Sequence, residues 1–303
     1  MEEGTVVAVV GPTATGKSDL ALDLAVALAG EVVNADALQL YRGMDVGTAK
    51  VPPAERRGVP HHQIDVLDVT QEASVAAYQR EARCDLEAIG ARGRRPLLVG
   101  GSGLYVAAAL DDLAFPGTDQ DLRAELEARA ERDGARALHA ELAALDPEAA
   151  AAIEPANVRR VVRALEVVRL TGEPFRARLP QDATLVPAVR LGLRLDRAAL
   201  DERIERRTRA MFRAGLVEEV EALVAAHGSL GRTASRAVGY AEALAVLTGA
   251  LGREEAVDAT VLATRRLARR QERWFRRDAR IVWLDVAAGP EETARAALRT
   301  LLP

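Results

Sequence analysis

A chain of 303 residues, 49% hydrophobic and 28% charged with a net charge of −4, has the composition of a folded globular protein of one large or two smaller domains, which excludes the disordered and fibrous classes. Its single cysteine, Cys84, excludes an internal disulfide, and no Cys/His cluster offers a zinc site. No apolar run reaches the length of a membrane span, and after Met1 the residues Glu2 and Glu3 are acidic where a secretory leader is basic, so a cytoplasmic protein with no membrane partner is expected.

The first element is the apolar run Val6 to Val10, which reads as a strand covered on both faces. A helical pattern opens at Ser18, with Leu20, Leu24 and Leu28 on one side. Between them stand Gly11, Pro12, Thr13, Ala14, Thr15, Gly16, Lys17 and Ser18, the full G-x-x-x-x-G-K-[ST] phosphate-loop signature in its strand–loop–helix context. Backbone N–H groups of such a turn point inward, the helix adds its positive end, Lys17 brings a mobile charge, and Ser18 can coordinate Mg²⁺. None of this specifies a nucleotide. The loop leaves open a kinase, an NTPase, or a transferase with a diphosphate leaving group.

Glu31 to Ala35 reads as a second short buried strand with Asp36 at its end. In open α/β sheets the ligand crevice lies at the carboxyl ends of strands, which aims Asp36 at the phosphate loop; the alternative role is a turn residue or helix cap. The stretch "ALQLYRGMDVGTAK", with Gly43 and Gly47, is too irregular for a helix and reads as a shaped loop. His61 and His62 point to opposite faces of an extended segment, which makes them poor co-ligands; packing and hydrogen bonding to Asp65 are expected. "PLLVGGSGLYVAAAL", 96–110, is again strand, double glycine and helix: Gly100 and Gly101 permit close backbone approach, and Ser102 either faces the crevice or caps the helix.

From about Phe115 to Val189 the chain is rich in alanine, arginine and glutamate, with helical periodicity and turn signals at Pro116-Gly117, Asp133-Gly134, Asp146-Pro147 and Glu154-Pro155. "AVRLGLRL", 188–195, then resumes a strand pattern, as though the chain returned to the sheet, and "ARIVWLDV" near Ile281 reads as a last strand. Between these two strands the segment 264–280 carries eight arginines against Glu272 and Asp278, about +6 in a chain that is acidic overall. Leu267, Trp274 and Phe275 give that segment an apolar side.

Eight blocks in order, "GPTATGKS", "NADALQLYRGMDVGTAK", "HHQIDVLDV", "PLLVGGSGLY", "RALEVVRLTG", "RIERRTRAMFRAGLVEEV", "AVGY" and "TRRLARRQERWFRR", resemble the tRNA dimethylallyltransferase family from Val6 to about Leu284. The resemblance implies an α/β fold, a P-loop NTPase-like core with a parallel sheet and an inserted helical subdomain: core in 1–115 and 190–303, insertion in 116–189. It implies transfer of a dimethylallyl group from dimethylallyl diphosphate to N6 of the adenosine 3′-adjacent to the anticodon, with Mg²⁺ and without ATP hydrolysis. Gly11 to Ser18 and Arg207 would hold the diphosphate, Ser18 the metal, and Asp36 would be the base, with Lys17 and Ser102 beside it.

The resemblance also assigns RNA contacts to Asp36, Ala37, Leu38, Gln39, Ser102, Arg123, Arg159, Arg160, Arg163, Arg236, Gly239 and Tyr240, and, in the basic segment, to Arg269, Arg270, Gln271, Arg273, Trp274 and Arg276. The chain departs from the family at Ala37, commonly serine, at Ser102, commonly threonine, and at Ala241, basic in some members. A monomer is expected. Two rival readings of the loop are a small-molecule kinase and an RNA-binding NTPase switch; the weak signal for an acidic residue closing a later apolar strand counts against the switch.

Overall fold

Apolar runs without a polar alternate form strands only where both faces are covered, and Val6–Val10 (β1) is buried at every position. The computed structural model describes residues 4–175 and 184–302. After β1 come α1 (Lys17–Ala27), β2 (Gly30–Asn34), β3 (His61–His62), α2 (Val75–Ala91), β4 (Arg95–Gly100) and α3 (Gly103–Leu110). Helices α4 (Gln120–Asp133), α5 (Ala135–Leu145), α6 (Pro147–Ala152) and α7 (Val158–Thr171) follow. The chain continues with β5 (Ala188–Arg194), α8 (Arg197–Arg213), α9 (Leu216–His227), α10 (Arg232–Ser235), α11 (Tyr240–Leu247), α12 (Arg253–Phe275), β6 (Ile281–Asp285) and α13 (Pro290–Leu301).

The strands form one parallel sheet in the order β3-β2-β4-β1-β5-β6. Their side chains divide by the period of two. Val6, Ala8, Val10, Val33 and Leu98 pack beneath α2 and α3 against Tyr78, Ala82, Ile89, Val106 and Leu110. Val7, Val9, Val32, Leu97, Leu191 and Leu193 face α1 and α13 through Leu20, Leu24, Ala297 and Leu301. From β1 the chain leaves to β2 on one side and later returns to β5 on the other, so the loop after β1 stands at the switch point where such sheets bind ligands.

The chain divides into two compact units, Met1–Asp111 with Thr184–Pro303, and Asp112–Ala183. The second is helical, with Leu126, Leu138, Leu142, Val161 and Leu165 as its core; of the helical stretch read at 116–189, residues 176–183 lie outside the described ones, while Ala188 already opens β5. Within the first unit Thr184 bridges to Asp111. Arg190, buried in β5, bonds Asp111 at 2.6 Å and Asp278 at 2.6 Å, and Arg280 bonds the same two carboxylates, closing a ring of four charges beside that junction. Leaving any one of these groups unpaired in so dry a place is costly.

Two glycines separate close approach from free space. A Cβ on Gly100 would lie 2.2 Å from the carbonyl oxygen of Ala35, just past the end of the paired strand β2, whereas one on Gly90, in α2, meets nothing within 4 Å. Gly100→Ala is therefore expected to lower the unfolding free energy by about 2–3 kcal/mol, and Gly90→Ala to raise it by about 0.5–1 kcal/mol, both read as shifts of the urea midpoint.

Candidate active site

The loop from Gly11 to Gly16 leaves the carboxyl end of β1 with Gly11 at φ +136°, Ala14 at +66° and Gly16 at +88° as the residue before α1. Left-handed backbone at these points turns the chain into a ring of amides; Gly11 is further required because a Cβ would sit 2.7 Å from the Leu193 carbonyl oxygen. The ring is braced from within: Thr15 Oγ1 donates to the Pro12 carbonyl at 2.8 Å, and Lys17 Nζ folds back to the same carbonyl at 2.7 Å. It is held from outside at Thr13. The Arg207 guanidinium of α8 donates to Thr13 Oγ1 at 2.6 Å, and the Thr13 N–H donates to Gln271 Oε1 of α12 at 2.9 Å.

A cleft of about 300 Å³ opens above the loop, lined by Thr13, Lys17, Ser18, Asp36, Gly101 and Arg207 among others. Burial, more than any neighbour, pulls the Lys17 ammonium down to about 8; the Asp36 charge opposes that shift and the Arg207 charge adds to it. Arg207 is also lowered from its ordinary value, again by burial with Asp36 opposing, and its buried Nε has no hydrogen-bond partner. Two desolvated cations thus face one carboxylate, and an orphaned N–H stays among them. The deficit is of negative charge, which a polyanion of pyrophosphate size supplies.

Asp36 follows β2 in an Asx turn, Oδ1 accepting from the Leu38 N–H at 3.0 Å, which leaves Oδ2 for another donor. Its backbone is fixed by Asn34, whose Oδ1 accepts from the Asp36 N–H and whose Nδ2 donates to the Asp36 carbonyl. Ser102 precedes α3 but does not cap it through its side chain; its Oγ accepts from the Ala37 N–H at 3.2 Å, so it braces the segment after Asp36. Gln39 donates to the Thr48 carbonyl, and Lys50, buried between Asp45 and Asp65, closes the loop that follows. The expected pairing of the histidines with Asp65 is corrected here: Asp65 is held by Lys50, His62 meets Glu31 at 2.8 Å, and His61 meets the Val59 carbonyl. Strand pairing of β3 with β2 turns His62 to Glu31, out of reach of a carboxylate three residues on.

The basic residues sort by helical phase. On α12 the side chains of Thr264, Ala268 and Phe275 are buried, and Gln271 shares their side. Arg266, Arg269, Arg270 and Arg273 are exposed away from that side, as is Arg277 in the turn after the helix, and none of the five makes an ion pair among the described residues. Arg276 is spent on Glu272 at 2.7 Å, and Trp274 lies against Gly103, where a Cβ would come 2.1 Å from the indole ring. Arg236 is exposed, whereas Tyr240 is fully buried with its hydroxyl on Glu219, and Gly239 is buried beside it. In the helical unit Arg159 and Arg160 are exposed on α7; Arg123 and Arg163 both bond the fully buried Glu166, at 2.6 and 2.8 Å. Gln271, which the resemblance groups with the RNA contacts, stands seven residues from buried Thr264 and four from buried Phe275, on the inward side of α12.

Among the described residues no three His, Cys, Asp or Glu side chains stand together as a metal centre. The cleft's own donors near the loop are oxygens, the Ser18 hydroxyl and the carboxylates of Asp19 and Asp36. That set fits a hard cation such as Mg²⁺, which keeps waters and phosphate oxygens in its shell, and does not fit a thiophilic metal.

A family model described as IPP transferase matches residues 39–278. A curated relative from Thermobifida fusca (strain YX), tRNA dimethylallyltransferase, is 58% identical over 297 residues, covering 96% of this chain and 93% of its own. The crystal structure of a full-length tRNA isopentenylpyrophosphate transferase from Bacillus halodurans is 40% identical and superposes with a TM-score of 0.71 over 99% of this chain and 96% of that one. A eukaryotic dimethylallyltransferase acting on tRNA is 25% identical with a TM-score of 0.81, over 98% of this chain and 78% of that one.

The depressed Lys17 gives a pH dependence of definite sign. An anion in the cleft favours the charged ammonium and raises its pKa from about 8, so binding takes up protons near and above pH 8 and weakens as the pH rises beyond it. Calorimetric titration with inorganic pyrophosphate in buffers of different ionisation enthalpy is expected to show that uptake, and Lys17→Met to abolish it.

Proposed function

The chain belongs to the IPP transferase family and transfers a dimethylallyl group to tRNA, and we propose that it takes the group from dimethylallyl diphosphate, sets it on N6 of the adenosine 3′-adjacent to the anticodon and releases pyrophosphate. The observation that carries this reading is the meeting of Lys17, Arg207 and Asp36 in one cleft over the phosphate loop. An allylic C–O bond breaks easily because its cation is resonance-stabilised; the task left to the protein is to receive the charge that gathers on the leaving diphosphate and to keep water away. Lys17, Arg207 and the loop amides from Ala14 to Ser18 receive it, the Thr13 N–H being held by Gln271, and both cations, half-buried and partly desolvated, need little solvent reorganisation to do so. Mg²⁺, held by Ser18 and the diphosphate, would neutralise further charge on the leaving group.

The carbon–nitrogen bond forms from N6 to the allylic carbon. As the nitrogen turns cationic its proton becomes acidic, and Asp36 Oδ2 takes it. Before that step the same oxygen orients the amine by accepting its hydrogen bond, while Leu38, Asn34 and Ser102 hold the segment still. An adenine that reaches Asp36 has left its stack, so the RNA is bound with that base extruded. The unpaired arginines on the outer face of α12 supply phosphate contacts, with Arg159 and Arg160 of α7 and Arg236 as further candidates. Fully buried Tyr240 and ion-paired Arg123, Arg163 and Arg276 would act by shaping these surfaces. Among the described residues no helix is long and apolar enough to cross a membrane; a cytoplasmic monomer is part of the proposal.

Incubation with unmodified tRNA and labelled dimethylallyl diphosphate, without ATP, is expected to leave label in the RNA; label passing only from ATP to a small molecule would instead identify a kinase. Asp36→Asn is expected to slow the single-turnover chemical step by about 10²- to 10⁴-fold while tRNA affinity stays within a few-fold. Arg270→Ala and Arg273→Ala are each expected to weaken tRNA binding and to reduce its salt slope by about one, with little change in the KM for the diphosphate.

A further inference from the structure

Thr13 is gripped twice, and both grips come from one helical pair. Helix α8 brings Arg207 to its hydroxyl, and helix α12 brings Gln271 to its N–H. The two helices pack through Leu200, Ile204 and Ala268. They are further tied by Arg265 of α12, which bonds Glu205 and the Asp201 carbonyl of α8, and by Arg197 with Glu272. Gln271 is also wedged at its other end: its Nε2 lies where a Cβ on Gly101 would be only 2.5 Å away.

At 100° per residue, Gln271 falls on the side of α12 shared by Thr264, Ala268 and Phe275, whereas Arg269 and Arg273 fall about 160° from it, Arg266 about 140° and Arg270 about 100°. A helix of 23 residues, about 34 Å long, moves as a rod. A displacement set by contacts on its outer face therefore reaches the Gln271 amide, and through it the first amide of the phosphate loop after Pro12.

We propose that Gln271 is a positioning residue that couples RNA on the outer face of α12 to the grip of the phosphate loop on the diphosphate. The proposal rests on the reading of α12 as an RNA-facing helix and of the loop as the diphosphate cradle. Gln271 touches no reacting atom in this scheme. It sets where the Thr13 peptide stands, and with it the hydroxyl that Arg207 holds.

The test is a thermodynamic cycle with inorganic pyrophosphate and Mg²⁺ as probe and an unmodified anticodon stem-loop RNA as second ligand. In the wild-type protein the stem-loop is expected to change pyrophosphate affinity by at least about fivefold. In Gln271→Met, which keeps the length and loses the acceptor, that factor is expected to fall below about twofold while stem-loop affinity alone stays within about twofold. Gln271→Glu keeps an acceptor at the same reach: pyrophosphate binds more weakly throughout because of the added charge, but the coupling factor returns. Gly101→Ala pushes the same amide from the opposite side, is expected to mimic Gln271→Met, and decides the matter alone if the methionine variant fails to fold. Full coupling in both Gln271→Met and Gly101→Ala, or no coupling in the wild type, overturns the proposal. Failure of the wild-type protein to label tRNA from dimethylallyl diphosphate would overturn the functional reading instead, so the two failures are told apart.

Discussion

Two half-buried cations beside a single carboxylate are the constraint from which the rest of the site follows. Lys17 and Arg207 have given up part of their water, Lys17 has a backbone carbonyl and Arg207 a threonine hydroxyl in exchange, and Asp36 offsets only part of their charge. An arrangement like this is poorly paired when empty and well paired around a polyanion. The tension has to be held by something stiff, which is why the loop is braced by strained backbone at Ala14 and by side chains from α8 and α12.

The same principle, charge held against its preference by packing, recurs where the two units of the chain meet in sequence. Arg190, Arg280, Asp111 and Asp278 form a closed ring at the ends of α3, β5 and the segment after α12. Burial pushes the Asp278 carboxyl up, but its bonds from Arg280 and the charge of Arg190 outweigh that and leave it below its usual value. In the helical unit Glu166 repeats the pattern: burial raises it, and Arg163 and Arg123 bring it down. Arginine suits both places because its planar fork bonds two carboxylate oxygens at once.

Much of the core was legible in the residues. Unbroken apolar runs announced β1 and β4, strand-like alternation announced β5, and the glycines at 11, 16 and 100 announced close approach and left-handed turns. Asp36 at a strand end and Ser102 before a helix were placed at the carboxyl edge of the sheet by pattern alone. What pattern misjudged was partnership. His61 and His62 were matched with Asp65 by nearness in sequence, yet β3 pairs with β2 and presents His62 to Glu31. Ser102, open between a cap and a crevice residue, does not cap α3 through its hydroxyl, which accepts from the Ala37 N–H.

By itself the sequence determined the phosphate loop, the strand-and-helix alternation and the family likeness, because turn chemistry and hydrophobic period are local properties of neighbouring residues. Only the tertiary structure decided which charges are spent inside the protein and which face outward. Gln271 and Arg276 stand in the same basic run as Arg270 and Arg273, but one reaches a loop 258 positions away and the other closes on Glu272. Such choices depend on which side of a helix packs against the core and on what lies opposite, and no stretch of chain carries that information about itself.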